Sequence, residues 1–297
     1  VHTAPGHGIE DFVVCKNYPE IPIIVPVDAK GRLTEEAGMF AGLTTEEANK
    51  PIALHLEKIG ALFALKKIEH QYPHCWRCHK PVIFRATSQW FCSVDDFKDD
   101  AVKAAEDVKW FPEWGKDRLQ SMVKERADWC ISRQRKWGVP IPVVYCQYCG
   151  KEIIDNDIMM KVSKIFGEEG SDAWFAHDTE YFLPEGFKCP HCGSAKGFDK
   201  EKDIMDVWFD SGSSHAAVCA RRKYLKVPAD VYLEGADQYR GWFQSSLLTS
   251  VAGGHGAPYK QIITHGWTVD GEGKKMSKSL GNGIAPQEII SKYGADI

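Results

Sequence analysis

Two matched cysteine pairs, Cys146-x2-Cys149 and Cys189-x2-Cys192, constrain this chain more than any other feature. Four thiolates in two short knuckles give zinc a closed, tetrahedral, all-sulfur shell. Gly150 and Gly193 each follow the second cysteine of a pair, where a tight turn brings backbone amides towards the sulfurs. A shell with no open position holds structure together and does no chemistry. Metal binding there would drive folding of the 39 intervening residues. The competing reading is four buried free thiols in unrelated loops. A third pair, Cys75 and Cys78, lies between His74 and His79 and finds no second knuckle in the sequence. It reads either as a site drawing on these histidines or as half of an incomplete one. Cys15, Cys92, Cys130 and Cys219 are expected to be small packing residues.

Composition narrows the remaining choices. A disulfide scaffold is the wrong expectation for 297 residues with an even spread of helix and strand patterns. Apolar residues make up 43% and charged residues 26%, enough for a sizeable core and about two domains. Acids outnumber Lys and Arg by 41 to 37, so no global charge announces a nucleic-acid partner, and basic contacts must be local. No apolar run approaches the roughly 18 residues that span a bilayer, so no membrane partner and a cytoplasmic location are expected. The chain opens mid-pattern at Val1 and stops at GADI; both ends are expected to be cut.

The pattern along the chain predicts a Gly/Pro/His loop from His2 to Gly8 and a proline-broken strand from Ile21 to Val27. A helix is expected from the capping box Thr44-Thr45-Glu46-Glu47 towards Gly60. The run VIFRATSQWF reads as a strand. Helices are expected over 95–108 and 116–127, joined by a Trp/Pro segment. Residues 146–200 read as a compact insertion. Three short apolar runs follow, IMDVWFD, ADVYLEG and QIITHG, each closed by a polar cluster. A helix is expected from Asp237 to about Val251, and another between Pro286 and Gly294. Strands alternating with helices predict an α/β fold with an open parallel sheet, whose ligands sit beyond the carboxyl ends of the strands. Asp210-Ser211-Gly212, Glu234 to Asp237 and His265-Gly266 fall at those ends.

DGEGKKMSKSLGN is the sharpest chemical signal. Three lysines in five residues, Lys274, Lys275 and Lys278, between glycines make a cationic loop suited to a polyphosphate. It is not a Walker A loop, since Lys275 and not Ser or Thr follows Lys274. Without further context a solvated basic turn fits equally well.

KMSKS after a strand resembles the second signature of class I aminoacyl-tRNA synthetases. DVWFDSGSSH, YLEGADQYRGWFQSS, THGWTVDGEGKKMSKSLGN, DWCISRQRKWG, YPHCWRCHKPVIFRATSQWF and the opening HTAPGHGIEDF together resemble the bacterial-type isoleucyl family, over essentially the whole chain. The valyl and leucyl siblings share KMSKS and the general order, and are expected to differ at VWFDSG.

The resemblance implies the second half of a Rossmann-like catalytic domain. Residues 1–68 would be the tail of an editing insertion, 72–145 a return to the catalytic body, 146–200 the zinc-bearing insertion and 203–297 the signature-bearing half. The family's His-x-Gly-His signature is absent from this chain. It would lie upstream, as would two cysteines completing a Cys75/Cys78 zinc site, with an anticodon-binding domain downstream.

The implied reaction joins isoleucine to tRNA(Ile) through isoleucyl-adenylate, with ATP and its Mg2+ as substrate, in a full-length monomer; this chain alone would be inactive. By resemblance Lys275 and Lys278 hold phosphates, with Met276 and Ser277 beneath the nucleotide. Glu234, Gly235, Asp237, Gln238 and His265 would contact ATP and adenylate. Trp208, Trp242 and Gln238 would wall the amino-acid pocket. Taken alone, either tryptophan reads as core packing, and His265 as a strand cap. Gln238 and Trp242, four apart, are expected on one helix face.

A hydrophobic pocket separates isoleucine from valine by only about 1–3 kcal/mol, a magnitude known for this enzyme family and not drawn from these residues. A second, hydrolytic site is the consequence, and His2 and Asp11 match its residues. Arg133, Arg135 and Lys136, interleaved with Trp129 and Trp137, read either as contacts to an RNA strand or as structure. A rival of another class is a non-catalytic, zinc-stabilised tRNA-binding paralogue.

Overall fold

The computed structural model describes residues 2–75, 78–278 and 280–296. Trp76, Arg77 and Ser279, within two of the motifs above, lie outside the described residues. By its contacts the chain forms two compact units, Val1–Ser88 and Gln89–Ile297, so residues 72–88 group with the first.

In the first unit, α1 (Ile9–Cys15) follows the Gly/Pro/His loop. The Asp11 carboxylate accepts from the Ala4 N–H at 2.9 Å and ties that loop to the helix. α2 (Thr45–Lys58) starts on the expected capping box: Glu47 N–H donates to Thr44 Oγ1 at 3.2 Å, and Thr44 N–H to the Glu47 carboxylate at 2.8 Å. Two expected strands do not form. Over 21–27 only Val27 makes a bridge, to Leu33, because Pro22 and Pro26 remove ladder donors. The run 82–90 holds no strand; Arg85 Nε instead donates to Val27 O at 2.8 Å, and Ala86 N–H to Gly6 O at 2.8 Å.

The second unit opens with β1 (Phe91–Cys92), α3 (Lys98–Ala104), β2 (Lys109–Phe111) and α4 (Gly115–Lys124). β3 (Trp129–Cys130) pairs antiparallel with β1, and β4 (Ser132–Arg133) follows. β5 (Val144–Cys146), β6 (Glu152–Ile153), α5 (Asn156–Glu169), α6 (Ala173–Ala176), α7 (Thr179–Phe182) and β7 (Phe198–Lys200) form the insertion. Its antiparallel sheet runs β6-β5-β7 over its own apolar core, which includes Ile158, Val162, Trp174, Phe182 and Phe198. Buried Trp174 and Phe182 alone contribute about 1.5–3 kcal/mol each through lost apolar exposure. Asp155 caps α5, accepting from Asp157 N–H and Ile158 N–H. The Glu201 carboxylate accepts from the Trp90 indole at 2.8 Å and from the Tyr145 hydroxyl at 2.5 Å, joining insertion to body. Burial and that carboxylate push the Tyr145 phenol up to about 12.

The last third carries β8 (Ile204–Met205), α8 (Val207–Gly212), β9 (Tyr232–Gly235), a 3-10 turn (Ala236–Arg240), α9 (Trp242–Ala252), β10 (Gln261–His265) and α10 (Pro286–Tyr293). The expected parallel sheet is present as β2-β10-β9, with Ile262 opposite both Trp110 and Tyr232. Its membership differs from expectation. IMDVWFD supplies only β8, antiparallel to β4, and then turns into α8. The third parallel strand is β2, from the Trp/Pro segment. A short apolar run fits a buried strand or a buried helix equally, so periodicity could not separate them. α9 buries eight of its eleven residues. Phe243, Leu247 and Leu248 pack with Leu119, Val123, Tyr232 and Ile262 into the main core. Among the described residues no helix is long and apolar enough to cross a membrane.

Candidate functional site

The four cysteines of the insertion meet. Their sulfurs all lie within 4.8 Å of one another, with Cys146 and Cys192 at 3.6 Å and Cys149 and Cys189 at 3.8 Å. Sulfurs placed about 2.3 Å from one tetrahedral ion stand roughly 3.8 Å apart, whereas a disulfide needs about 2.05 Å. Both knuckles share one backbone pattern. Gly150 N–H donates to Cys146 O at 2.8 Å, and Cys146 N–H to Lys151 O at 3.0 Å. Gly193 and Ser194 repeat those bonds with Cys189. Gly150 and Gly193 take φ of 69° and 76°, left-handed values that glycine adopts without penalty.

Burial raises the Cys189 thiol, but the N–H groups of Cys192 and His191 and the adjacent thiols outweigh it and hold the group at about 6. The Ser194 N–H lowers Cys192, but burial and the other sulfurs override it and push the group up to about 12. One thiolate thus suppresses the next until a cation balances them. The donor set and its spacing fit zinc.

Cys75 and His79 adopt the same knuckle. His79 N–H donates to Cys75 O and Cys75 N–H to Lys80 O, both at 2.8 Å, with His79 at φ 57°. Among the described residues no further His, Cys or carboxylate completes a metal set with this pair.

A second cluster stands at the carboxyl ends of β9 and β10. Register puts Glu234 opposite Thr264 and Gly235 opposite His265. A Cβ on Gly235 would lie 2.8 Å from Asp237 Oδ1 and 3.5 Å from His265 Cε1. Gly235, Asp237 and His265 therefore converge, with Glu234 at the same strand end. His265 Nδ1 lies 2.7 Å from Gly266 O. Tyr239 OH, 2.9 Å from Thr264 Oγ1, pins the 3-10 turn to β10.

The helix expected from Asp237 to Val251 is broken at Gly241, whose φ and ψ of −123° and −120° are not helical. Gln238 and Trp242 are therefore not neighbours on one helix face. Gln238 Oε1 instead accepts from Trp242 N–H at 2.8 Å and closes the start of α9. Trp242 lies flat on Tyr232, with ring centroids 3.9 Å apart and planes 8° apart, and its indole N–H donates to Ser211 O at 3.0 Å. Trp208 packs at Gly241, where a Cβ would stand 2.9 Å from its ring. Gln238, Trp208 and Trp242 thus meet around one glycine. Trp242 is held by packing on one face, and Trp208 is 41% exposed.

The lysine loop is a hairpin directly after β10. Val269 bridges Lys275, and Met276 N–H donates to Thr268 O at 2.9 Å. The Asp270 carboxylate closes its turn, accepting from Glu272 N–H, Lys274 N–H and Asn282 Nδ2. The Asn282 bond is the largest of the influences that hold Asp270 below the usual carboxylate range. Asn282 Oδ1 accepts from Ser277 N–H at 2.9 Å. Lys275 Nζ rests 3.3 Å from the Trp267 ring centre, Lys274 pairs with Glu272 at 2.8 Å, and Lys278 is exposed. Asp270, Asn282 and Trp267 were not singled out from sequence, though Asn282 stands at the end of the motif itself.

Asp206 was also missed. It is buried, accepts from the Trp129 indole at 2.9 Å and pairs with Arg133 at 3.2 Å. Trp129 and Arg133 are thereby engaged in structure, while Arg135, Lys136 and the 96%-exposed Trp137 face solvent. Beside Asp206, burial and that neighbouring charge push Asp210 up to about 6. In the other unit His2 is exposed, and Asp11 spends one carboxylate oxygen on Ala4 N–H.

Residues 16–297 match the family described as tRNA synthetases class I (I, L, M and V), and the chain belongs to that family. It is 63% identical over 297 residues to an isoleucine–tRNA ligase of Caldicellulosiruptor saccharolyticus, covering all of this chain and 32% of that protein. An isoleucine–tRNA ligase of Thermoanaerobacter sp. is 59% identical, with the same coverage. The chain thus spans about a third of the length of these curated relatives. Among solved structures, a Mycobacterium tuberculosis methionyl-tRNA synthetase in complex with methionyl-adenylate overlays at TM-score 0.45 and 20% identity, over 75% of this chain and 34% of that one.

Proposed function

We propose that the full-length protein is an isoleucine–tRNA ligase and that this chain carries its adenylate-facing signature half. The observation that carries the reading is the convergence of Gly235, Asp237 and His265 at two adjacent parallel strand ends, with the lysine hairpin leaving the second strand. An α/β sheet binds ligands at that end.

In the first step an isoleucine carboxylate oxygen bonds to the α-phosphorus of ATP and the bond to pyrophosphate breaks. In the second the terminal tRNA hydroxyl attacks the acyl carbon and AMP leaves. No covalent enzyme intermediate is needed, so the protein positions groups and offsets charge. Lys275 and Lys278 would draw to the phosphates, Lys275 leaving the Trp267 ring. Met276 and Ser277 would lie under the nucleotide. Gly235 would admit the ligand to the backbone, Asp237 and Glu234 would accept hydrogen bonds from hydroxyl or ammonium groups, and His265 would face the nucleotide. Gln238, Trp208 and Trp242 would border the side chain, and Mg2+ would arrive with ATP as part of that substrate.

Cys146, Cys149, Cys189 and Cys192 would hold zinc as a cross-link that fixes the insertion. Cys75 and Cys78 would bind a second metal with two thiolates from outside this chain. The unit 1–88 would supply His2 and the free oxygen of Asp11 to hydrolysis of misattached valine. Arg135, Lys136 and Trp137 would meet the tRNA.

The test is amino-acid-dependent ATP–pyrophosphate exchange by the full-length enzyme. Isoleucine should be strongly preferred; preference for valine would overturn the reading. Lys278→Ala should lower exchange at least a hundredfold, about 3 kcal/mol of transition-state stabilisation.

A further inference from the structure

We propose that the cavity between α9 and the 126–133 strand segment is an anion site for a backbone phosphate of the RNA 3′ end, held by Arg126 and Arg240. The inference rests on the ligase reading above and adds a subsite to it. The cavity holds about 380 Å³ and is walled by Arg126, Trp129, Trp208, Arg240, Gly241 and Gln244, among others.

Its charges are unevenly spent. Arg126 lies just past α4, half-buried, with its guanidinium 5.1 Å from the Trp129 ring centre. It donates one bond, to Gln244 Oε1 at 2.5 Å. Its Nε is buried and has no hydrogen-bond partner. Burial draws its pKa down, and Asp206 and Cys92 only partly oppose that. A desolvated guanidinium that makes a single hydrogen bond is costly, and an anion drawn to its charge relieves the cost. Arg240, exposed at the end of the 3-10 turn, has no ion-pair or hydrogen-bond partner among the described residues. The third lining guanidinium, Arg133, is already engaged by Asp206 at 3.2 Å and by the carbonyls of Cys130 and Ser132. Asp206 is in turn taken up by Arg133 and the Trp129 indole. The cavity is therefore lined by Arg240, which has no such partner among the described residues, by Arg126, which spends one bond on Gln244, and by the exposed carboxylate of Asp128.

The ligand class follows from the walls. Guanidinium forks match phosphate oxygens in pairs. The part-exposed Trp208 gives an aromatic wall beside them, the combination that suits a nucleotide and not a bare ion. Among the described residues, none of the hairpin 266–282 lines the cavity. The cavity abuts Trp208 and Gly241, where the aminoacyl group is proposed to sit. The RNA terminus that accepts this group must arrive there, with its phosphates behind it.

The test uses the full-length enzyme with Arg240→Gln, the conservative Arg240→Lys, and Arg126→Lys as a second, charge-keeping variant. Three quantities are read: isoleucine-dependent pyrophosphate exchange, KM for tRNA in charging, and the Kd of a single-stranded tetranucleotide ending in CCA. Arg240→Gln should raise KM for tRNA and the tetranucleotide Kd about tenfold, and should lower the salt slope of binding by about one. Exchange should stay within twofold, and Arg240→Lys should recover most of the loss.

Unchanged KM and Kd in both Arg240→Gln and Arg126→Lys would overturn the proposal. So would a parallel fall in exchange, which would assign the cavity to activation. If inorganic phosphate displaces the tetranucleotide at equal concentration, a free phosphate is the ligand and the RNA assignment fails. A wild-type enzyme that binds the tetranucleotide, loses it in Arg240→Gln and yet shows no exchange would leave the site standing and sink the ligase reading.

Discussion

A Cβ on Gly212 would stand 2.8 Å from the Ser245 carbonyl oxygen, a backbone atom that cannot move aside cheaply. Gly212→Ala must push α8 from α9, and a loss of about 1–3 kcal/mol is expected in denaturant unfolding. The same contact presents Trp208, so the substitution should also weaken isoleucine binding by the full-length enzyme. Asp210, two residues earlier, titrates at about 6 in the folded protein, above the ordinary carboxylate value of 3.8. The folded state therefore binds more protons than the unfolded chain between about pH 4 and 6. Stability from this group is present below that window and is lost as pH rises through it. Asp210→Asn should raise Tm at pH 7.5 and leave it nearly unchanged at pH 4, which thermal melts at the two pH values check. At this scale the motif residues were legible because their chemistry is carried by residue type. Asp206 and Gly241 were not, since their meaning lies in partners 73 or more residues away for Asp206 and in a backbone angle for Gly241.

The knuckle is the element that sequence reads best. The first cysteine makes the same two backbone hydrogen bonds, to the residues four and five further on, at Cys75, Cys146 and Cys189, so a local pattern fixes a local fold. What spacing could not show is that Cys146 and Cys189, on separate turns, bring their pairs within bonding reach of one ion. Cys149→Ser, or a strong chelator, should remove about one zinc per chain by metal analysis. Amide exchange should then accelerate across 144–200, while α9 and β10 keep their protection, because the insertion and the body have separate apolar cores. Strands fared worse than helices. The run 82–90 has the β-branched and aromatic residues of a strand and forms none, whereas Lys109–Phe111, read as a linker, is an edge of the parallel sheet. A strand exists only if another segment accepts its hydrogen bonds, and three residues carry no period to announce it.

For the whole molecule, the family match covers 282 of 297 residues, while the chain spans 32% of its relatives' length. Activation chemistry is therefore expected of the full-length protein. The purified 297-residue chain should give no isoleucine-dependent pyrophosphate exchange. Turnover by that chain would show that the lysine hairpin and the strand-end cluster suffice without a His-x-Gly-His signature. The sequence by itself determined the paired cysteine knuckles, the capping box at Thr44, the lysine loop and the α/β character, because each depends on residue type at short spacing. Only the tertiary structure decided which segments share the sheet, where α9 begins, how Trp208 and Trp242 divide exposure and packing, and that Arg126 and Arg240 face one cavity. Those outcomes depend on which distant groups satisfy buried donors and fill buried volume, and that selection is made across the fold and not along the chain.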